Sequence, residues 1–151
     1  MFKKILVPLD GSELSESALS YVFEITRDYS SLEVVLMRIR EPLDPNVIGT
    51  LDAKIAVELD EAYRDEASHY LDKIVENLKE KGITARVEVL AGNPAEEILK
   101  YSQKNDIDLI IMSTRGRSGI SRLVFGSVAE KVIRGSTIPV LIKPAAAGKS
   151  S

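Results

Sequence analysis

The sequence predicts an α/β domain, in which one parallel sheet is covered on both faces by helices. Three observations carry this. Short apolar, β-branched runs alternate with segments whose apolar residues recur at helical spacing. Glycine, proline and serine punctuate the junctions between them. The chain has 151 residues, 44% of them hydrophobic and 28% charged, which fits one soluble domain with a core of its own.

Each element follows from local pattern. Ile5-Leu6-Val7-Pro8-Leu9 is a strand ended by Asp10-Gly11-Ser12, a turn and helix-cap signal. Ser12 to Asp28 reads as one helix, with Leu14, Ala18, Tyr21/Val22 and Ile25 on its apolar face. Glu33 to Ile39 is the second strand, and residues 41–50, with two prolines and a glycine, read as a loop. From Leu51 to Lys81 the apolar positions form one helical stripe over about eight turns, closed by Gly82 as a C-cap. Ile83 to Leu90 alternates, with Ala85, Val87 and Val89 on one face of a third strand. Gly92-Asn93-Pro94 opens a helix with Pro94 near its first position and Ala95, Ile98 and Leu99 on its apolar face. Asp108 to Met112 is the fourth strand, Ser127 to Arg134 a helix and Ile138 to Ile142 the last strand. The expected domain is 1–143, followed by a disordered tail, 144–151.

Composition removes several functions. With no Cys, disulfides and thiolate metal sites are excluded. The single histidine, His69, lies in a helical pattern far from any candidate site, which removes histidine metal clusters and His-based triads. A formal net charge of -3 argues against a general nucleic-acid surface. No apolar stretch approaches the roughly 20 residues of a membrane span, and Asp10 and Glu13 interrupt any signal-like run. A cytoplasmic protein is expected.

The chemistry gathers in "STRGRSGISRLVFGS", Ser113 to Ser127, which holds three arginines, three glycines and no acid. In open α/β sheets ligands bind beyond the carboxyl ends of strands, where strand order reverses. Two such ends carry polar residues: Asp10-Gly11-Ser12, and Ser113 onward. Gly116 and Gly119 permit close backbone approach, and successive N–H groups in such turns make an anion-binding concavity. Gly126-Ser127 stands at a helix start, where unpaired N–H groups and the helix dipole favour negative charge. Arg115, Arg117 and Arg122 add positive charge, although loop arginines are commonly solvated or interfacial. The same glycines also suit plain turns and a tight helix entry. Neither the P-loop pattern nor the dinucleotide fingerprint is present.

These residues resemble the universal stress protein family over nearly the whole chain, roughly Phe2 to Lys143. The resemblance rests on "KKILVPLDGSELSESAL", "LAGNPAEEIL" and "DLIIMSTRGRSGISRLVFGSVAEKVIRGSTIPVLIK". The family's ATP-binding branch has the motif G-x-x-G, nine residues, then G-[ST]. The matching positions are Ser113 to Gly116, nine residues from Arg117 to Phe125, then Gly126-Ser127, so that Ser113 replaces the first glycine. The resemblance implies a Rossmann-like five-stranded sheet in the order 3-2-1-4-5. It also implies ATP, with Mg2+ or Mn2+. Pro8, Leu9 and Asp10 would line the nucleoside side, with Asp10 near the sugar and available to a metal ion, and Ile39 would lie beside adenine. Met112 and Ser113 would flank the ribose, while Gly116, Arg117, Gly126, Ser127 and Val128 would cradle the phosphates; Arg115 and Gly119 join them from the loop's own charge and glycine pattern. For Ile39 and Met112, simple core packing is the competing reading. Homodimerisation through Ile138 to Ile142 is also implied, which would protect an apolar edge strand.

Hydrolysis needs a positioned water and charge stabilisation at the γ-phosphate. The loop supplies donors but no acid or amide to hold water, and Asp44 and Asp52 are not fixed by any pattern. The reading is therefore a nucleotide-dependent switch with at most slow ATP hydrolysis, whose loop meets a protein partner. The alternatives are a dimeric interaction module without nucleotide, and a dedicated nucleotide-cleaving enzyme.

Overall fold

A computed structural model describes residues 2–28, 31–114 and 126–144. In chain order the elements are β1 (Lys4–Pro8), α1 (Glu13–Glu16), α2 (Leu19–Asp28), β2 (Glu33–Arg40), α3 (Pro45–Ile48), α4 (Ala53–Glu80), β3 (Thr84–Ala91), α5 (Pro94–Lys104), β4 (Leu109–Thr114), α6 (Ser127–Gly135) and β5 (Val140–Pro144). The strands form one sheet in the order β3-β2-β1-β4-β5, every neighbouring pair parallel. The expected topology is therefore observed.

Alternate strand residues point to opposite faces, so two cores form. Val34 and Leu36 of β2 meet Val22 of α2 and Leu71 and Leu78 of α4 on one face. Val35 and Met37 meet Ile98 of α5 and Val132 of α6 on the other. The central strands are buried on both sides, which is why they read as unbroken apolar runs. Asp108 ties the entry of β4 to that of β1, its carboxylate accepting the Lys3 and Lys4 N–H groups at 2.8 and 2.9 Å.

The end of α4 shows local sequence fixing local geometry. Gly82 has φ +78, the Ile83 N–H donates to the Leu78 carbonyl at 3.0 Å, and the Gly82 N–H donates to Lys79 at 2.9 Å. This is a Schellman cap, and its hydrophobic contact is the buried pair Leu78 and Ile83. Asn93 caps α5 with Pro94 as the first helical residue.

Three expectations are corrected. The Ser12–Asp28 helix is two helices, α1 and α2, interrupted at Ser17-Ala18. Serine hydroxyls there donate to nearby carbonyls, Ser17 to Leu14 at 2.6 Å and Ser20 to Ser17 at 2.9 Å, which competes with the regular ladder. Residues 41–50 are not all loop, since Asp44 caps the one-turn helix α3 with Pro45 at its start. The last strand begins at Val140, after Pro139, and ends at Pro144. The Leu51–Lys81 stripe does form one helix, as expected, and its burial begins only at Ala67. Ile55, Leu59 and Tyr63 remain 47%, 45% and 39% exposed.

Candidate functional site

The sheet opens where β1 and β4 part. Their ladder consists of Ile5 with Leu109 and Leu6 with Ile110, although β1 continues to Pro8 and β4 to Thr114. Beyond Pro8 the chain leans toward β2, the Leu9 N–H donating to the Met37 carbonyl at 2.8 Å. The divergence leaves a cavity of about 520 Å³, within the usual range for a small-molecule site.

The cavity is lined by Pro8, Leu9, Asp10, Ile39, Met112, Ser113, Gly126, Ser127 and Val128, so the sequence candidates among the described residues converge on one space. Arg115, Gly116, Arg117 and Gly119 lie outside the described residues, as does Arg122. Leu14, Ser15, Met37, Glu41, Tyr63, Pro94, Ile98 and Ala129 also line the cavity and were missed by sequence reasoning. For Leu14 and Ser15 a signal existed, since they follow directly on the Asp10-Gly11-Ser12 turn. Glu41 directly follows the end of β2, a signal of the same kind, whereas for Tyr63 there was none, because the path of the β2–α4 segment brings it to the rim.

The β1–α1 turn is tightly built. The Asp10 carboxylate accepts from the Ser12 N–H at 2.9 Å and from the Ser12 hydroxyl, while the Asp10 N–H donates to Ser15 Oγ at 3.2 Å. Gly11 has φ +89, a conformation that other residues adopt only under strain. A Cβ there would also stand 3.4 Å from the Arg38 guanidinium.

Ser113 is extended strand, paired with Lys143 of β5. Among the described residues the non-glycine with positive φ is Asp106, so Ser113 occupies its motif position without backbone strain. Its hydroxyl donates to the Leu14 carbonyl at 2.7 Å, joining the end of β4 to α1. On the far side of the cavity Gly126 is the N-cap of α6 and supplies no side-chain cap. The first-turn N–H groups of a helix lack intrahelical acceptors and carry the positive end of its dipole. Ser127, at the first helical position, is exposed.

Behind the turn, on the other face of the sheet, the Arg38 guanidinium lies 5.1 Å from the centre of the Tyr70 ring. Burial first, then the nearby Glu16 charge, pushes the Tyr70 hydroxyl up to about 12. On the β3 side, Tyr101 donates to Glu88 at 3.2 Å and accepts from Arg86 at 3.0 Å. Burial first, then Glu88, pushes it up to about 12 as well. The folded chain therefore holds these two protons where the unfolded chain releases them near pH 10. Their contribution to stability is full below about pH 10 and is lost as pH rises from about 10 to 12. Denaturant midpoints that fall across this window, with two tyrosines ionising late in an ultraviolet titration, are the expected result.

Chemically, the cavity offers an apolar side (Leu9, Met37, Ile39, Ile98 and Met112) and a polar end at the α6 N-terminus. Its lining carboxylates are Asp10 and Glu41. Among the described residues no three His, Cys, Asp or Glu side chains converge as a metal cage, and no helix is long and apolar enough to cross a membrane.

Fold and cavity together define an open parallel α/β domain with its site at the topological switch point. The universal stress protein family model matches residues 1–144, and the chain belongs to that family. It is 34% identical to universal stress protein MJ0531 of Methanocaldococcus jannaschii over 143 residues, 94% of this chain and 82% of the relative. The solved structure of MJ0577 from the same organism superposes with a TM-score of 0.79 at 31% identity, covering 95% of this chain and 96% of the other. A family member from Arabidopsis thaliana, solved with AMP bound, superposes with a TM-score of 0.70 at 16% identity, over 99% of this chain and 95% of that one.

Proposed function

We propose that this chain binds ATP in the switch-point cavity and acts as a nucleotide-dependent regulator rather than a dedicated enzyme. One observation carries the reading. A cavity of about 520 Å³ joins an apolar floor to a helix N-terminus that has no side-chain cap. A nucleoside suits the first and phosphates the second. In this arrangement Pro8, Leu9 and Ile39 hold the base and sugar, and Asp10 meets the ribose. Gly126, Ser127 and Val128 meet the phosphates, together with the 115–119 segment. AMP in the Arabidopsis relative supports a nucleotide in this fold.

A divalent ion would enter with the phosphates. Mg2+ is commonly held by substrate oxygens and one or two carboxylates, and Asp10 fits that part. The Asp10 carboxylate is bonded within its own turn to Ser12, and Glu41 is exposed at the rim, so neither cavity carboxylate is committed to placing a water at the γ-phosphate. Slow hydrolysis at most follows. A second copy pairing through the edge strand β5 would complete the molecule.

Equilibrium dialysis with Mg-ATP, alongside a phosphate-release assay, tests the reading. Saturation near one ATP per chain with negligible release supports it. No uptake at millimolar ATP moves the function to a nucleotide-free interaction module, and rapid steady release to an enzyme.

A further inference from the structure

We propose that the exposed face formed by α3 and the first half of α4 is a docking surface for a basic amphipathic helix of another protein. Helix α4 has 28 residues, yet its buried positions are Ala67, Leu71, Ile74 and Leu78. The apolar period that makes those positions a core stripe continues N-terminally through Ile55, Leu59 and Tyr63, four residues apart on one side of the helix. Ile55 and Leu59 there are exposed, and Tyr63 only borders the cavity beneath Arg40. Of the eight exposed large hydrophobic side chains among the described residues, seven fall between Leu43 and Tyr63, including Val47 and Ile48 of α3. Scattered exposed apolar residues need no explanation, but a concentration of this kind marks an interaction site.

Charge selects the occupant. Residues 41–66 contain eight acidic and two basic side chains, a net charge of -6 in a chain whose total is -3. Arg40 of β2 compensates one of them by pairing with Asp60. A second copy of this chain would set one acidic face against another, a like-charge arrangement that opposes association. An anionic membrane is repelled for the same reason. A helix with apolar residues at i, i+4 and i+8, flanked by Lys and Arg, satisfies both features, since its apolar side covers Ile55 and Leu59 while its cations meet the surrounding carboxylates. Residues 53–66 form about four turns, roughly 21 Å, which matches a docked helix of similar length. The face also adjoins the cavity through Tyr63, which lines its rim and lies beneath the Arg40 guanidinium at 5.1 Å from the ring centre.

The test uses the full chain and two fluorescent model peptides, one built of Leu and Lys and the other of Leu and Glu in the same amphipathic order. The expected result is binding of the Leu/Lys peptide at least about tenfold tighter than the Leu/Glu peptide, with amide shifts in labelled protein confined to about residues 43–66. Leu59→Ser and Ile55→Ser should each weaken it about tenfold and leave ATP uptake unchanged. That independence separates failure of the docking surface from failure of the nucleotide site. Equal affinity for the two peptides, binding of neither, or shifts elsewhere would overturn the proposal. Loss of self-association in Leu59→Ser, read by sedimentation velocity, would overturn it in favour of a second copy. Binding to phosphatidylcholine vesicles in place of the peptide would overturn it in favour of lipid.

Discussion

Replacing Ser127 by Asp should weaken ATP binding by about 100-fold or more, equivalent to about 2.7 kcal/mol, while leaving the fold as stable as before or slightly more so. The two effects have opposite signs for one reason. An acidic side chain in the first turn of a helix interacts favourably with its dipole, typically by about 0.3–1 kcal/mol. Ser127 is the first residue of α6, follows an N-cap glycine with no side-chain bond, and is exposed. The same charge would stand where the proposed phosphates must lie, and it would also remove a hydroxyl donor. A variant that lost nucleotide merely by unfolding would show a lower melting temperature. Thermal denaturation and ATP dialysis on the same sample therefore separate repulsion from collapse. Ser127→Ala, which removes the donor without adding charge, should fall between wild type and Asp.

Leu71→Ala should destabilise the chain by about 2–5 kcal/mol, whereas Leu59→Ala should stay within about 0.5 kcal/mol. The substitution is chemically identical, and both residues belong to one periodic stripe on one helix. Leu71 is fully buried against the sheet, among Val34, Leu36 and Ile111. Removing its side chain leaves a cavity between α4 and the strands. Leu59 is 45% exposed and has no core to vacate. Denaturant unfolding of both variants reads the contrast directly. A comparable loss in the two would mean that the first half of α4 packs in solution against something that the monomer fold does not provide. For Leu59 that partner would have to be a second copy.

The strands were legible because burial on both faces leaves no room for polar alternation. Val34 to Met37 and Leu109 to Met112 are unbroken apolar runs for that reason. Gly82 and Pro94 were legible because each answers a backbone requirement that few residues meet, a positive φ and a first helical turn. The α1–α2 break was not, since Leu14, Ala18 and Val22 keep helical spacing through it while serine hydroxyls take over the carbonyls. Periodicity alone also could not say where the α4 stripe is covered. It records that a face is apolar, while the length of the sheet decides how many turns find a partner. At the site, residues adjoining a turn or a strand end were readable from their place in the chain. The rim residue Tyr63 was not, because only the three-dimensional path of α4 brings it to the cavity that Ile39 and Met112 also line. That Ser113 takes the motif glycine's place without strain is visible only in the geometry, with the residue extended and its hydroxyl bound to Leu14.

Placement of the nucleotide between the β1 turn and the α6 N-terminus is what the proposed function rests on. Its most direct test is titration of Mg-ATP into isotopically labelled protein, followed by backbone amide shifts. Saturable shifts led by Leu9, Asp10, Ile39, Ser113, Ser127 and Val128 are expected, with the wild-type response lost in Ser127→Asp. Shifts absent at millimolar ATP, or centred on residues away from this cavity, would contradict it.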